Sequence, residues 1–130
     1  MRTGTRKRLV WLTAAATFAI APLEIMTAQA HTRNFGGSVS IKRTSGAFTG
    51  RIRSDHSRCR NGRSVSLYRM RKGRDRLIGS GESDQGRYTI AAKRRRGRYY
   101  VRVTGERFGG YGHRHTCPAL QSGTVRLRWQ

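Results

Sequence analysis

Three of the four histidines have a spacing that suits metal binding. His113 and His115 are two residues apart, so in an extended segment both imidazoles lie on one face. His31 follows Ala28-Gln29-Ala30, a small-x-small sequence typical of signal-peptide cleavage. A chain cleaved there would offer an amino group and an imidazole at residue 31, and imidazole is a good ligand for copper. The sequence therefore predicts, as an alternative function, a copper site of His31, His113 and His115, although the positive charge of Arg114 opposes it.

The run Asp55-His56-Ser57 contains the residue types of a hydrolase triad. Consecutive residues of an extended chain point to opposite sides, so these three side chains do not form the relay that a triad requires. The sequence also lacks a G-x-S-x-G motif, a phosphate-binding P-loop and a metalloprotease helix. We therefore expect a protein that is not an enzyme and has no cofactor.

Two arginine-rich turns carry much of the positive charge. Their side chains are Arg71, Lys72, Arg74 and Arg76 in the first turn, and Lys93, Arg94, Arg95, Arg96 and Arg98 in the second. Arginine binds phosphate or sulfate through two parallel hydrogen bonds, so two such turns at one end of a domain would form an anion-binding patch. The partner would be an anionic polymer or a component of the cell envelope, and nucleic acid would bind without sequence specificity. The alternative is a solvated basic surface without a ligand.

The first thirty residues predict a signal peptide. A basic leader precedes an apolar run, and this run is shorter than the ~20 residues that span a bilayer. Residues 31–130 would then form one domain that is secreted, extracellular or periplasmic, without a transmembrane segment. The formal charge of the whole chain is +22; residues 1–30 hold four cations and one carboxylate, which leaves 24 cations, five carboxylates and a charge of +19. Such a field attracts polyanions.

The two cysteines, Cys59 and Cys117, have one pairing available to them. An exported chain with an even number of cysteines is expected to form disulfides. The sequence thus predicts a Cys59–Cys117 disulfide that closes a loop of nearly sixty residues. The alternative, a reactive thiolate paired with a histidine, has no supporting motif.

Short segments with alternating apolar and polar residues predict an all-β fold. Seven such strands are expected, and residues 31–36 and 105–123 are expected to be a loose arm and a long irregular loop. The seven segments are residues 38–43, 48–53, 64–70, 76–80, 87–92, 98–104 and 124–129. Seven short strands in about 100 residues favour a Greek-key β-sandwich.

Four of these segments resemble the motifs of the carboxypeptidase regulatory-like domain, a transthyretin-like β-sandwich. The matching residues are 48–52 (FTGRI), 61–68 (NGRSVSLY), 83–90 (SDQGRYTI) and 97–103 (GRYYVRV). The chain departs from the family at Arg96, where the family has proline, and at Ser83, where it has threonine. The chain also looks like small secreted bacterial proteins with cysteines at the places of Cys59 and Cys117. The resemblance implies a non-catalytic module of the kind that acts in folding, adhesion or surface display.

Overall fold

The computed structural model describes residues 31–128, and of His31 the backbone alone. The predicted signal peptide and Trp129 lie outside the described residues. Twelve strands and one 3-10 turn, Ser57–Cys59, make up this part of the chain. The strands are β1 His31–Asn34, β2 Gly37–Val39, β3 Lys42–Thr44, β4 Ala47–Ser54, β5 Ser64–Arg69, β6 Arg76–Glu82, β7 Arg87–Ala91, β8 Gly97–Val103, β9 Glu106–Phe108, β10 His113–Cys117, β11 Leu120–Gln121 and β12 Val125–Leu127.

The strands form three sheets. In the first sheet β4 lies at the centre and pairs with β2, β3 and β7. In the second the order is β11-β8-β5-β6, and β12 also pairs with β8. The third is a small sheet of order β1-β10-β9, in which β1 and β10 are parallel. The prediction of an all-β fold is confirmed, and the several sheets are consistent with a β-sandwich.

The apolar positions of the alternating strands form one core between the first two sheets. Phe48 and Ile90 are register partners in the first sheet, and Leu67 and Val101 are partners in the second. All four side chains are buried, and Phe48 packs against Tyr99 with ring centroids 4.7 Å apart. Burial of each such side chain stabilises the fold by about 1.5–3 kcal/mol.

The predicted count of seven strands is not confirmed, because the described residues contain twelve. The predicted loose arm is wrong, since residues 31–34 form β1 and Phe35 is buried. The predicted irregular loop is also wrong, since it contains β9, β10 and β11. These strands are short and mostly polar, so the alternation that marks a half-buried strand is missing from them. Backbone pairing holds these short strands in place.

Residues 31–128 contain no long apolar helix of the kind that spans a membrane.

The predicted disulfide is confirmed. Cys59, at the end of the 3-10 turn, is bonded to Cys117, at the end of β10, and both residues are buried. The bond therefore fastens the small sheet to the loop that follows β4. In the chain-entropy model, closing a loop of 58 residues stabilises the fold by about 4 kcal/mol.

A buried arginine reinforces the same region. Arg63 is 0% exposed, and its guanidinium donates hydrogen bonds to three backbone carbonyls, those of Cys59 (2.9 Å), Thr104 (2.7 Å) and Pro118 (2.9 Å). Burial lowers the pKa of Arg63, and the charge of Glu106 acts in the opposite direction. The side chain thus joins the loop after β4, the end of β8 and the segment after β10.

Candidate functional site

Both arginine-rich turns lie at the same end of the second sheet. β5 and β8 are antiparallel neighbours in which Arg69 is opposite Tyr99, and the Met70 N–H donates to the Arg98 carbonyl at 2.8 Å. The first turn leaves the sheet just after Arg69, and the second turn enters it just before Gly97. A hollow of about 590 Å³ beside the second turn is lined by Arg95, Arg96 and Gly97 and by Arg69 at the end of β5. The strand register therefore brings together the two clusters that the sequence predicted.

Asp75 holds the first turn in shape. Its carboxylate accepts hydrogen bonds from the Tyr100 hydroxyl (2.7 Å) and from the Arg71 N–H (3.2 Å). The hydrogen bond from Tyr100 is the main reason why the pKa of Asp75 is lowered, and the same bond raises the pKa of Tyr100. Asp75 is the only carboxylate in residues 70–76, and its oxygens are used to order the turn.

Tertiary contacts of its backbone and of its flanking residues fix the second turn. The Tyr99 hydroxyl donates to the Arg95 carbonyl at 2.8 Å. The Ala92 N–H donates to the Gly46 carbonyl at 3.1 Å, and Arg43 donates from Nη1 to the Ala92 carbonyl at 3.0 Å. The turn between β3 and β4 is therefore packed beside the second basic turn. The basic side chains themselves remain exposed.

We use the name basic end for ten cationic side chains at this end of the molecule. They are Arg71, Lys72, Arg74, Arg76, Lys93, Arg94, Arg95, Arg96, Arg98 and Arg126. Arg126 belongs to the group because it is the register partner of Arg98 in β12. Within residues 31–128, these ten side chains make neither a hydrogen bond nor an ion pair with the protein. Their positive charge is therefore directed to solvent, where an anion can reach it.

The three histidines that were predicted to bind a metal lie in different environments. In the parallel pairing of β1 with β10, His31 is the register partner of His113, whereas His115 is opposite Arg33. His113 is exposed. The ring of His115 packs against the rings of Phe35 and Phe108, with centroid distances of 5.6 Å and 5.1 Å. Among the described residues there is no group of three or more His, Cys, Asp or Glu side chains arranged to hold a metal ion.

His56 belongs to an aromatic cluster that sequence reasoning missed. Its ring lies 4.6 Å from that of Phe35 and 5.1 Å from that of Phe108, and the 3-10 turn beside it ends at the disulfide. The His56 Nδ1 accepts a hydrogen bond from the Arg58 N–H at 3.2 Å, so this atom is used in capping the turn. Arg58 also lies over the Phe108 ring. Phe35 lies 24 residues before Cys59 and Phe108 lies nine residues before Cys117, so no local pattern in the sequence marks the cluster.

Comparisons of the chain with protein-family models, with curated proteins and with solved structures find no match.

Proposed function

We propose that this protein is a secreted, non-enzymatic module that attaches to anionic polymers or surfaces of the envelope or extracellular matrix. The observation that carries the proposal is the register of β5 and β8, which places both arginine-rich turns at one end. The charge of +19 that residues 31–130 carry supplies a long-range attraction for such polymers.

The binding surface is the basic end. Arginine guanidinium groups bind phosphate or sulfate groups through paired hydrogen bonds, and the exposed side chains of the basic end are available for this because they make no bonds with the protein in residues 31–128. The folded shape of both turns is maintained by Tyr99, Tyr100 and Asp75, so these turns are partly ordered before a ligand arrives. Less order must then be imposed on binding, which favours affinity.

The finer fold assignment is part of this proposal. We propose a transthyretin-like Greek-key β-sandwich whose seven main strands are supplemented by short ones, as in the carboxypeptidase regulatory-like domain. Two turns of the resembling motifs support it, since Gly62 and Gly86 have φ angles of 62° and 78° that favour glycine. The buried disulfide supports export to an oxidising compartment. The small-x-small sequence Ala28-Gln29-Ala30 supports cleavage after Ala30.

The test is retention of the 31–130 chain on an anionic resin along a salt gradient. Replacing Arg94, Arg95 and Arg96 with serine is expected to lower the salt concentration of elution clearly below that of a control. The matched control replaces Arg33, Arg107 and Arg114, three exposed arginines of the small sheet. Equal elution of the two triple variants would show that net charge alone governs retention and would refute the proposed role of the basic end.

A second function, copper binding, is favoured by one observation. The register of β1 with β10 places residue 31 directly beside His113. After cleavage at Ala30, the amino group and imidazole of His31 together with the imidazole of His113 would supply three nitrogen ligands, a donor set that suits copper. His115 is not needed for this arrangement, and its ring packs against two phenylalanines.

Copper titration of the correctly processed chain tests this second function. His113→Ala is expected to weaken copper binding at least tenfold, whereas a chain with one extra residue before His31 should lose the amino-terminal ligand and bind as weakly. Binding that is unchanged by both alterations would refute the site. This outcome would leave the anion-binding proposal untouched, since it involves different residues.

A further inference from the structure

A second group of cations lies on the outer face of the first sheet, away from the basic end. Arg51 of β4 and Arg87 of β7 are direct register partners, and Arg53 follows two residues further along β4. Lys42 of β3 is opposite Thr49 of β4 on the same face. All four cationic side chains are exposed. We call Lys42, Arg51, Arg53 and Arg87 the arginine face.

The arginine face is unfavourable for the protein alone. Directly opposed residues of neighbouring antiparallel strands have Cβ atoms about 4.5–5.5 Å apart, and like charges at this separation destabilise the pairing. The side chains of the arginine face donate no hydrogen bond within residues 31–128. Two adjoining clefts of about 1020 Å³ and 620 Å³ share the walls formed by Arg51, Arg53 and Arg87. A bound anion would relieve the repulsion between the opposed arginines.

Strand β4 connects the arginine face with the turn that lies beside the basic end. β4 runs from Ala47, beside the turn whose Gly46 carbonyl accepts a hydrogen bond from the Ala92 N–H, to the far side of the sheet. From Ala47 to Arg53 the strand advances about 20 Å, at about 3.4 Å per residue. The outward positions of β4 before Arg51 are the uncharged Ala47 and Thr49, and Lys42, opposite Thr49, is the cation beside this stretch. Two carboxylates, those of Glu82 and Asp84, also line the larger cleft, and Asp84 is bridged to Arg87 through the backbone. An extended molecule can therefore follow a cationic track from Lys93 past Lys42 to Arg51 and Arg53, with uncharged residues between the first cations.

We propose that this track binds the backbone of a linear polyol phosphate, an unbranched phosphodiester chain without aromatic rings. The inference rests on the proposed function, and it specifies the class of polymer. Alternate side chains of a strand stand about 6.8 Å apart, a span of the same order as the repeat of an extended phosphodiester chain. An arginine guanidinium can bind each phosphate through two parallel hydrogen bonds.

The absence of exposed aromatic side chains from the track decides between a polyol phosphate and a single-stranded nucleic acid. Non-specific binding of single strands relies on aromatic rings on which bases stack. In the described part of the chain, the fully exposed ring is that of Tyr111, in the turn between β9 and β10, and Tyr88 beside the track is buried. The track thus offers cationic side chains to a ligand but no exposed aromatic ring on which a base could stack.

The experiment measures affinity for poly(glycerol phosphate) chains of two lengths. The short polymer, fully extended, is shorter than the width of the basic end, and the long polymer, fully extended, is longer than the whole track. Oligodeoxythymidylate with the same number of charges as the long chain is the competing polymer. Three variants are compared with the wild type: the double variant Arg51→Ser/Arg87→Ser, the matched control Arg107→Ser/Arg114→Ser, and the basic-end variant with Arg94, Arg95 and Arg96 replaced by serine.

We expect the wild type to bind the long chain more tightly than the short one and more tightly than oligodeoxythymidylate. The Arg51→Ser/Arg87→Ser variant should lose about tenfold for the long chain and little for the short one. Two lost phosphate contacts reduce the slope of log affinity against log salt by about 1.4, so the advantage of the wild type should shrink about sevenfold between ~50 and ~200 mM salt. The basic-end variant should weaken binding of both lengths.

Each contrary result has a separate meaning. If the Arg51→Ser/Arg87→Ser variant loses no more than the matched control while the basic-end variant loses affinity, the track is refuted and the proposed function stands. If oligodeoxythymidylate binds as tightly as the long polyol phosphate, the assigned polymer class is wrong. If the wild type retains no anionic polymer near ~0.15 M salt, where screening is already strong, both the track and the proposed function are refuted.

Discussion

Replacement of Arg63 by methionine tests whether a single buried cation stabilises the junction of three segments. Methionine fills much of the same volume but donates no hydrogen bond, so the carbonyls of Cys59, Thr104 and Pro118 would lose their partner. A buried carbonyl without a hydrogen-bond partner costs about 1–3 kcal/mol of stability, so three such carbonyls cost at least about 3 kcal/mol. The variant no longer buries a charged guanidinium, and the desolvation free energy saved in this way offsets part of the lost stability. We expect a loss of about 3–4 kcal/mol in the free energy of unfolding.

The assay is urea denaturation of the oxidised 31–130 chain, with thermal unfolding as a second probe. For a domain of this size, a loss of about 3 kcal/mol corresponds to a fall in Tm of about 12–24 °C. Arg107→Met, at an exposed position of β9, is the matched control and should change stability by less than about 0.5 kcal/mol. Arg63→Lys keeps the charge, but a compact ammonium does not reproduce the arginine fork, so this variant should lie between the wild type and Arg63→Met. A stability of Arg63→Met within about 1 kcal/mol of the wild type would refute the reasoning.

Three further outcomes are expected. Replacing Cys59 and Cys117 with serine should lower stability by up to about 4 kcal/mol in urea denaturation, and an unchanged midpoint would contradict the loop-closure argument. Tyr100→Phe should destabilise the protein at about pH 6 but much less at about pH 2. The hydrogen bond from Tyr100 lowers the pKa of Asp75, so it stabilises the fold above the ordinary carboxyl pKa of 3.8 and is lost as the pH falls through the folded pKa. An equal effect at both pH values would show that the carboxylate is not involved. Gly50→Ala should cost about 1–3 kcal/mol, because its Cβ would overlap a backbone carbonyl and a tyrosine hydroxyl, and a neutral effect on Tm would show that this packing relaxes.

The core strands were predictable because burial on one face imposes a period of two on the sequence. Phe48 and Ile52 alternate with Arg51 and Arg53 along β4, and this alternation is sufficient to identify both the strand and its inward face. The disulfide was predictable for a different reason, since two cysteines have one pairing available.

The small sheet was not predictable from local patterns. β1 and β10 are held by pairing with each other across 82 positions, and their residues are mainly polar, so neither segment shows the periodicity of a buried face. Arg63 was missed because an arginine between a turn and a strand is ordinarily exposed, and its burial depends on three carbonyls that come together only in the tertiary structure. The basic turns were recognised from composition, but their placement at one end depends on the β5–β8 register.

The pairing of β1 with β10 has a consequence for the order in which the chain folds. β1 can find its partner only after residue 113 is available, whereas β4 and β7 lie within 45 residues of each other and close a shorter loop. Formation of non-local β pairings is slow because loop-closure entropy is lost before the contacts form. We therefore expect the first two sheets to assemble before the small sheet. Residue 31 and its neighbours, although they are synthesised before the rest of the domain, would be among the last parts to reach their native positions.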